Sequence, residues 1–349
     1  MTIMIRLSQI TAQSQILYAI SRHGPIGTTE IEKITKVSVS RPTLSRYLRE
    51  LCDNGLITAS GLGRAVKYSI TQGAIRSYDF DLAVYETNDT ATSKTLFNHN
   101  LFNSCEQIFT DDEITKINES TEKYRQWKEK TPVEYQTLAY ERCAIEFSWK
   151  SSKIEGNTYS LLETEALIKN KTEATGKPHE DAVMILNQKK VFDLIMSGAF
   201  ADLFSVQTLT DIHKMLVVDL GIPHDLRIAQ VGITGTNYIP LQFQSQIREA
   251  LERLLALTQK TNDPFESALV FLAGIAYIQP FADGNKRTSR HMANAILHKN
   301  NMPPVAWRTV NEVEYKKCVI AFYELGNIRP LALLWLKNYI ETTEAFFGA

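Results

Sequence analysis

Apolar residues recur at helical spacing along most of this chain. In SQILYAISRHG, Ile16, Leu17 and Ile20 share one helical face and Gly24 stops the run. Thr28 or Thr29 offers a hydroxyl to the free amides that open a second helix, TTEIEKITK. After a turn over 37–40, RPTLSRYLRELCDNGLI puts a proline in a first helical turn and a stripe of Leu44, Leu48, Leu51 and Leu56 on one side. ITASGLGRAVKYSI then alternates around Gly61 and Gly63, which predicts a hairpin. Three short helices and a hairpin therefore account for residues 8–68.

Periodicity fades from about Ser77 to Thr110, where polar stretches such as ETNDTATSK read as a connection. Asp111 or Asp112 opens a charged helix running toward Lys130, and from Val133 to about Glu344 the pattern is almost wholly helical. One segment breaks it. GIPHDLRIAQVGITGTNYIPL, Gly221 to Leu241, carries β-branched residues, two internal glycines and prolines, and predicts a short hairpin projecting from the helical body. The reading is a mainly α chain in three parts: a helix-turn-helix with a hairpin over 1–75, a connecting region over 76–110, and a helical unit over 111–349.

Charge sharpens the first part. Residues 1–75 hold nine Lys or Arg against four Asp or Glu, whereas the whole chain of 349 residues nets −1. Helix, turn, helix and basic hairpin resemble a winged helix-turn-helix. Its third helix would present Arg41, Thr43, Ser45, Arg46 and Arg49 to phosphates and base edges of double-stranded DNA, while Arg64 and Lys67 on the wing grip the adjacent backbone. A winged helix used for protein contacts or homodimerisation is the alternative. With 44% hydrophobic residues the chain is globular. Cys52, Cys105, Cys143 and Cys318 lack metal-ligand or disulfide spacing. The longest apolar run, Ala268 to Ile278, is too short to span a bilayer, so the expectation is a cytoplasmic protein without a membrane partner.

The densest chemistry lies in YIQPFADGNKRTSR, Tyr277 to Arg290. Gly284 allows a backbone turn that aims amides at a ligand, and a helix beginning near Asn285 would offer its dipole to an anion. Arg287 and Arg290, three residues apart, share a face and could hold a polyphosphate between them, with Asp283 as a carboxylate for Mg²⁺. The plainer alternative is a turn with Asp283 as N-cap and two solvated arginines.

QPFADGNKRTSR resembles the signature of Fic-domain proteins, H-x-F-x-[D/E]-G-N-[G/K]-R-x-x-R, at every specified position from Phe281 to Arg290. FSWKSSKIEGN is similar to the family's inhibitory-helix motif, with Ser151, Glu155 and Gly156 at its positions, which places that helix near 140–157. The resemblance implies an all-helical Fic fold with a short β-hairpin flap around Gly232 to Pro240. It also implies ATP as substrate, Mg²⁺, and transfer of AMP to a hydroxyl of a target protein. Asp283 would hold the metal; Gly284, Asn285, Lys286 and Arg287 would surround the phosphates; Arg290 would meet the terminal phosphate and Glu155 would compete for it.

One position departs. Gln279 stands where the family has a histidine that takes the proton from the attacking hydroxyl. An amide orients a hydroxyl but is no ordinary base, so the departure bears on catalysis and not on nucleotide binding. His213, His224 and a mobile Glu155 are the candidate substitutes for that base; His291, around the helix from Arg290, is a poor one. The alternative function is a catalytically impaired Fic domain serving as a nucleotide-responsive DNA-binding regulator.

Overall fold

The computed structural model describes residues 12–348 apart from 36–38, 72–77, 81, 83–84, 86, 88–93, 102–107 and 201. Part of the 37–40 turn and Cys105 fall outside the described residues.

The amino-terminal unit holds α1 (Ala12–His23), β1 (Ile26–Gly27), α2 (Thr28–Thr35), α3 (Arg41–Asp53), β2 (Ile57–Ser60) and β3 (Lys67–Ile70). Helix α3 starts as its sequence dictates: Ser40 accepts from the Thr43 amide and Pro42 occupies the first turn, while Leu44, Leu48 and Leu51 are buried. Strands β2 and β3 form an antiparallel hairpin from Ile57↔Ile70 to Ser60↔Lys67. The two-residue strand β1 adds to the outer side of β3, giving the order β1-β3-β2. Helical periodicity gives no hint of β1, because two residues between helices carry no pattern.

The connecting region is more firmly anchored than its weak periodicity suggests. Tyr78, Phe80 and Tyr85 are buried, and Asp79 pairs with Arg329 at 2.8 Å. The same guanidinium donates to the Ile108 carbonyl and to Glu113, so one buried arginine fastens this strap to the helical body. Within it, β4 (Thr95–Leu96) pairs in parallel with β5 (Tyr238–Ile239). That pairing corrects the expected flap. Among the described residues, 221–241 contain a single short strand, and its partner is the strap and not a second strand of the same segment.

The helical body comprises α4 (Asp111–Lys130), α5 (Val133–Ile154), α6 (Leu161–Asn170), α7 (His179–Met196), α8 (Val206–Leu216), α9 (Gln244–Lys260), α10 (Pro264–Ile278), α11 (Asn285–Lys299), α12 (Glu312–Leu325) and α13 (Arg329–Phe347). Asp263 caps α10 ahead of Pro264, and every residue of α10 from Phe265 to Ile278 is buried. That explains its unbroken apolar sequence: a helix surrounded by α9, α11, α12 and α13 has no solvent face to pattern. Helix α11 packs on α10, α7 and α8, and α5 lies across α7 and α13. The turn between α10 and α11 is thereby fixed at both ends.

Candidate functional site

The α10–α11 turn is built from backbone geometry first. Gln279 ends α10 in the left-handed region at φ 52°, and Gly284 caps α11 at φ 77°. Gly284 has no alternative, because a Cβ there would also lie 3.1 Å from the His213 ring. No side chain caps the first turn of α11, leaving its amide end open toward an anion. Asn285 holds the turn closed: its Oδ1 accepts from the Phe281 amide at 2.8 Å, and its Nδ2 donates to the Phe281 carbonyl at 2.9 Å and to Gln279 Oε1 at 3.0 Å. Both amide hydrogens of Asn285 are thus engaged within the turn in this state, so its side chain shapes the site.

Arg287 is buried, and one nitrogen reaches Asp283 Oδ2 at 3.3 Å. Its Nε and Nη1 have no hydrogen-bond partner among the described residues. Arg290 is fully buried; its Nε donates to Ser151 Oγ and its Nη2 to the Ser151 carbonyl and to Glu155 Oε1, each at 2.9 Å. Glu155, the C-cap of α5, also receives Lys286 Nζ at 3.3 Å on its other oxygen. Lys286 thus sits on a carboxylate in this state, not free for phosphate. Burial alone would raise the Glu155 pKa, but the Arg290 guanidinium and the Lys286 ammonium outweigh it and hold the carboxyl at about 2. Gly156 follows at φ 99°, turning the chain away from α5.

Beside this cluster lies a cavity of ≈ 300 Å³, with Val231, Gly232, Ile233 and Thr234 on one side and Lys316, Val319, Ile320 and Tyr323 of α12 on another; Arg287 and Arg290 lie behind its wall. Glu155, Gln279, Asp283, Asn285 and Lys286 all reach it. The α12 residues were silent in the sequence, although 316, 319, 320 and 323 follow the spacing of one helical face. The Asp283 side chain is 68% exposed. Among the described residues no three His, Cys, Asp or Glu side chains cluster as a metal cage. A single open carboxylate suits Mg²⁺ that arrives with phosphate oxygens and keeps several waters.

Gln279 is tied on both ends of its amide. Its Nε2 donates to the Ala276 carbonyl at 2.6 Å and its Oε1 accepts from Asn285. Arg227 donates to the Gln279 carbonyl at 2.6 Å and to the carbonyls of Ala229 and Leu241, pinning both ends of the 229–241 loop beside the turn. Nothing in HDLRIAQ distinguished this buried arginine from a surface one. The histidines do not stand in for a base. His213 stacks on Phe281 at 3.6 Å between ring centroids and engages Thr288 and the Pro223 carbonyl. Burial pushes its pKa down to about 4. His224 is exposed beside Asp225, and His291 is buried against Phe147.

Residues 203–297 match the model of the Fic/DOC family. The fold agrees with solved structures: a Fic family protein from Desulfovibrio desulfuricans G20 superposes with a TM-score of 0.58 at 20% identity, covering 68% of this chain and 74% of that one. Fic-1 (residues 134–508) from C. elegans gives 0.56 at 17% identity, with 68% and 72% covered.

Over 203–297 the chain is similar to the Fic/DOC family.

Among curated relatives, protein adenylyltransferase fic-1 of Caenorhabditis elegans is 23% identical over 202 residues, 56% of this chain and 40% of the relative. Protein adenylyltransferase Fic of Nematostella vectensis is 25% identical over 209 residues, 58% of this chain and 48% of the relative. The chain spans less than half the length of these two relatives. Ser151, Glu155 and the α12 wall lie outside the matched segment 203–297, and the tertiary fold is what brings them to the α10–α11 turn. No helix among the described residues is long and apolar enough to cross a membrane.

In the amino-terminal unit, Arg41, Ser45, Arg46 and Arg49 are exposed on α3, Arg64 on the β2–β3 connection and Lys67 at the start of β3. Arg41 pairs with Glu32 at 3.0 Å, and Arg46 with Glu50 at 3.9 Å. The Thr43 hydroxyl bonds that of Ser40, a capping contact.

Proposed function

We propose that the cleft binds ATP with Mg²⁺ and that the chain is a Fic-type protein adenylyltransferase, restrained by Glu155 and carried on a DNA-binding module. The observation that carries this reading is Arg287, buried at the open start of α11 with two guanidinium nitrogens lacking any acceptor among the described residues. A buried charged donor left unmade is disfavoured by about 1–3 kcal/mol or more, which phosphate oxygens would relieve. The apolar side of the cavity, Ile233 with Val319 and Ile320, suits a nucleobase.

In the state described, Glu155 occupies Arg290 and Lys286. Its departure would free two cations for the terminal phosphate and remove a negative charge from beside it. Asp283 and the phosphates would hold Mg²⁺, which neutralises charge developing on phosphoryl oxygens. In transfer, the hydroxyl oxygen of the target protein bonds to the α-phosphorus, the bond from that phosphorus to the α–β bridging oxygen breaks, and pyrophosphate leaves. The hydroxyl proton passes to solvent, because Gln279 can orient it but not accept it. The adenylyltransferase names of the C. elegans and N. vectensis relatives support this chemistry. The test is incubation of the wild type and Glu155→Gly with α-labelled ATP and Mg²⁺. Label should enter the Glu155→Gly protein or an added target; binding without any label overturns transfer.

The tethered Gln279 amide favours a second reading, a nucleotide-responsive DNA-binding regulator that no longer transfers AMP. Arg41, Thr43, Ser45, Arg46, Arg49, Arg64 and Lys67 would then report the state of the cleft to double-stranded DNA. DNA affinity that ATP leaves unchanged at fixed salt removes it.

A further inference from the structure

Glu324, one residue before the end of α12, sits where four segments converge. Its side chain is 2% exposed and pairs with Arg22 of α1 at 2.7 Å. The same oxygen accepts from the Tyr85 hydroxyl of the strap at 2.7 Å. Its other oxygen accepts from the Thr236 hydroxyl at 2.7 Å. Thr236 stands two residues beyond Thr234, the last of the four loop residues that line the cleft, and two before Tyr238 of β5. Tyr323, the neighbour of Glu324, lines the cleft directly and lies 3.5 Å from the Gln279 amide.

Removing one partner of a buried carboxylate leaves its desolvation to the partners that remain, so the contacts on its two oxygens depend on one another. The Arg22 guanidinium also lies 5.6 Å from the Tyr85 ring centroid, stiffening the side of the joint toward α1. We propose that Glu324 is a positioning residue that holds the 231–236 loop over the cleft and ties it to α1, coupling what the amino-terminal unit binds to what the cleft binds. The coupling half of this proposal rests on the cleft being a nucleotide site; the positioning half does not. Reciprocity follows from linkage: a ligand that stiffens the loop also favours the present seating of α1, and a ligand that reseats α1 alters affinity in the cleft by the same factor.

The test combines hydrogen exchange and calorimetry on the full chain. Arg22→Met, on the α1 side, is expected to accelerate amide exchange over 231–238 by about fivefold or more, the lower end of ordinary coupling, with α7 unchanged. Arg22→Lys should restore most of the protection. Thr236→Val, on the opposite side of the carboxylate and close to isosteric, should accelerate exchange in the last turn of α1 by a comparable factor. Unchanged exchange at the far side in both variants overturns the proposal, and so does acceleration spread equally over α7. Titration of Mg·ATP should show Arg22→Met weakening binding by the factor seen in exchange; altered exchange with equal affinity overturns the coupling. These titrations are made in the Glu155→Gly background, where Arg290 and Lys286 are free; if Glu155→Gly binds no ATP, the nucleotide reading falls and the coupling with it, while exchange still decides the positioning role.

Discussion

Replacing Gln279 by histidine is the sharpest probe of how far this site falls short of an active one. The position tolerates the change: its left-handed φ of 52° is one that histidine adopts more readily than β-branched residues do. The exchange removes the donor to the Ala276 carbonyl and leaves Asn285 a ring nitrogen to meet in place of Oε1. Losing one such hydrogen bond costs about 1 kcal/mol, too little to unfold a helix end packed on all sides. The gain is a group with an ordinary pKa of about 6.5 beside the attacking hydroxyl, and general-base assistance is worth about 10²- to 10⁴-fold in rate. The substitution belongs in a Glu155→Gly background, where Arg290 and Lys286 are free. The assay is single-turnover transfer from α-labelled ATP, followed as self-labelling, with nucleotide affinity measured alongside. A rise of at least about 10²-fold in Glu155→Gly/Gln279→His over Glu155→Gly is predicted. Equal rates at equal affinity would mean that proton removal does not limit this site, and the argument from Gln279 would fail.

Glu155 should also mark the acid limb of stability. Its folded pKa of about 2 lies below the ordinary 4.5, so the ionised pair stabilises the fold above pH 4.5 and loses that contribution as pH falls from 4.5 toward 2. The shift corresponds to roughly 3 kcal/mol, so denaturant midpoints of Glu155→Gln should be flatter than the wild type over that window. His213 acts in a higher window. Neutral and buried at a folded pKa of about 4, it draws stability away as pH falls from 6.5 toward 4, where the unfolded chain takes the proton first; His213→Phe should remove that slope. On α3, Arg49→Ala should weaken binding to duplex DNA and reduce the slope of log affinity against log salt by about 1, if the exposed arginine meets a phosphate.

Sequence patterning foretold the elements that have one wet face. Helices α1 and α3 were legible because Ile16, Leu17 and Ile20, or Leu44, Leu48 and Leu51, alternate with exposed polar residues. The start of α11 was legible for a different reason: only glycine suits the backbone at 284, and the two arginines are placed by helical period. What stayed hidden depends on contacts distant in sequence. The one short strand of the flap segment pairs with β4, over a hundred positions upstream, which no local signal can anticipate. Arg227, Arg329 and Glu324 look like surface charges in the sequence, yet each is fixed by segments that meet only after folding. Asn285 was recognised as a site residue but not as the clasp of the turn, since the Phe281 backbone groups it binds exist only in the folded loop.

The central claim is that the buried, unpaired guanidinium nitrogens of Arg287 and the start of α11 receive a nucleotide polyphosphate. Calorimetric titration of Mg·ATP into Glu155→Gly and into Glu155→Gly/Arg287→Met measures this directly. The account predicts saturable one-site binding in the first protein, and a loss of about tenfold or more in the second, the worth of one charge-assisted contact. Equal affinity in two folded proteins, or no heat of binding in Glu155→Gly, would contradict it.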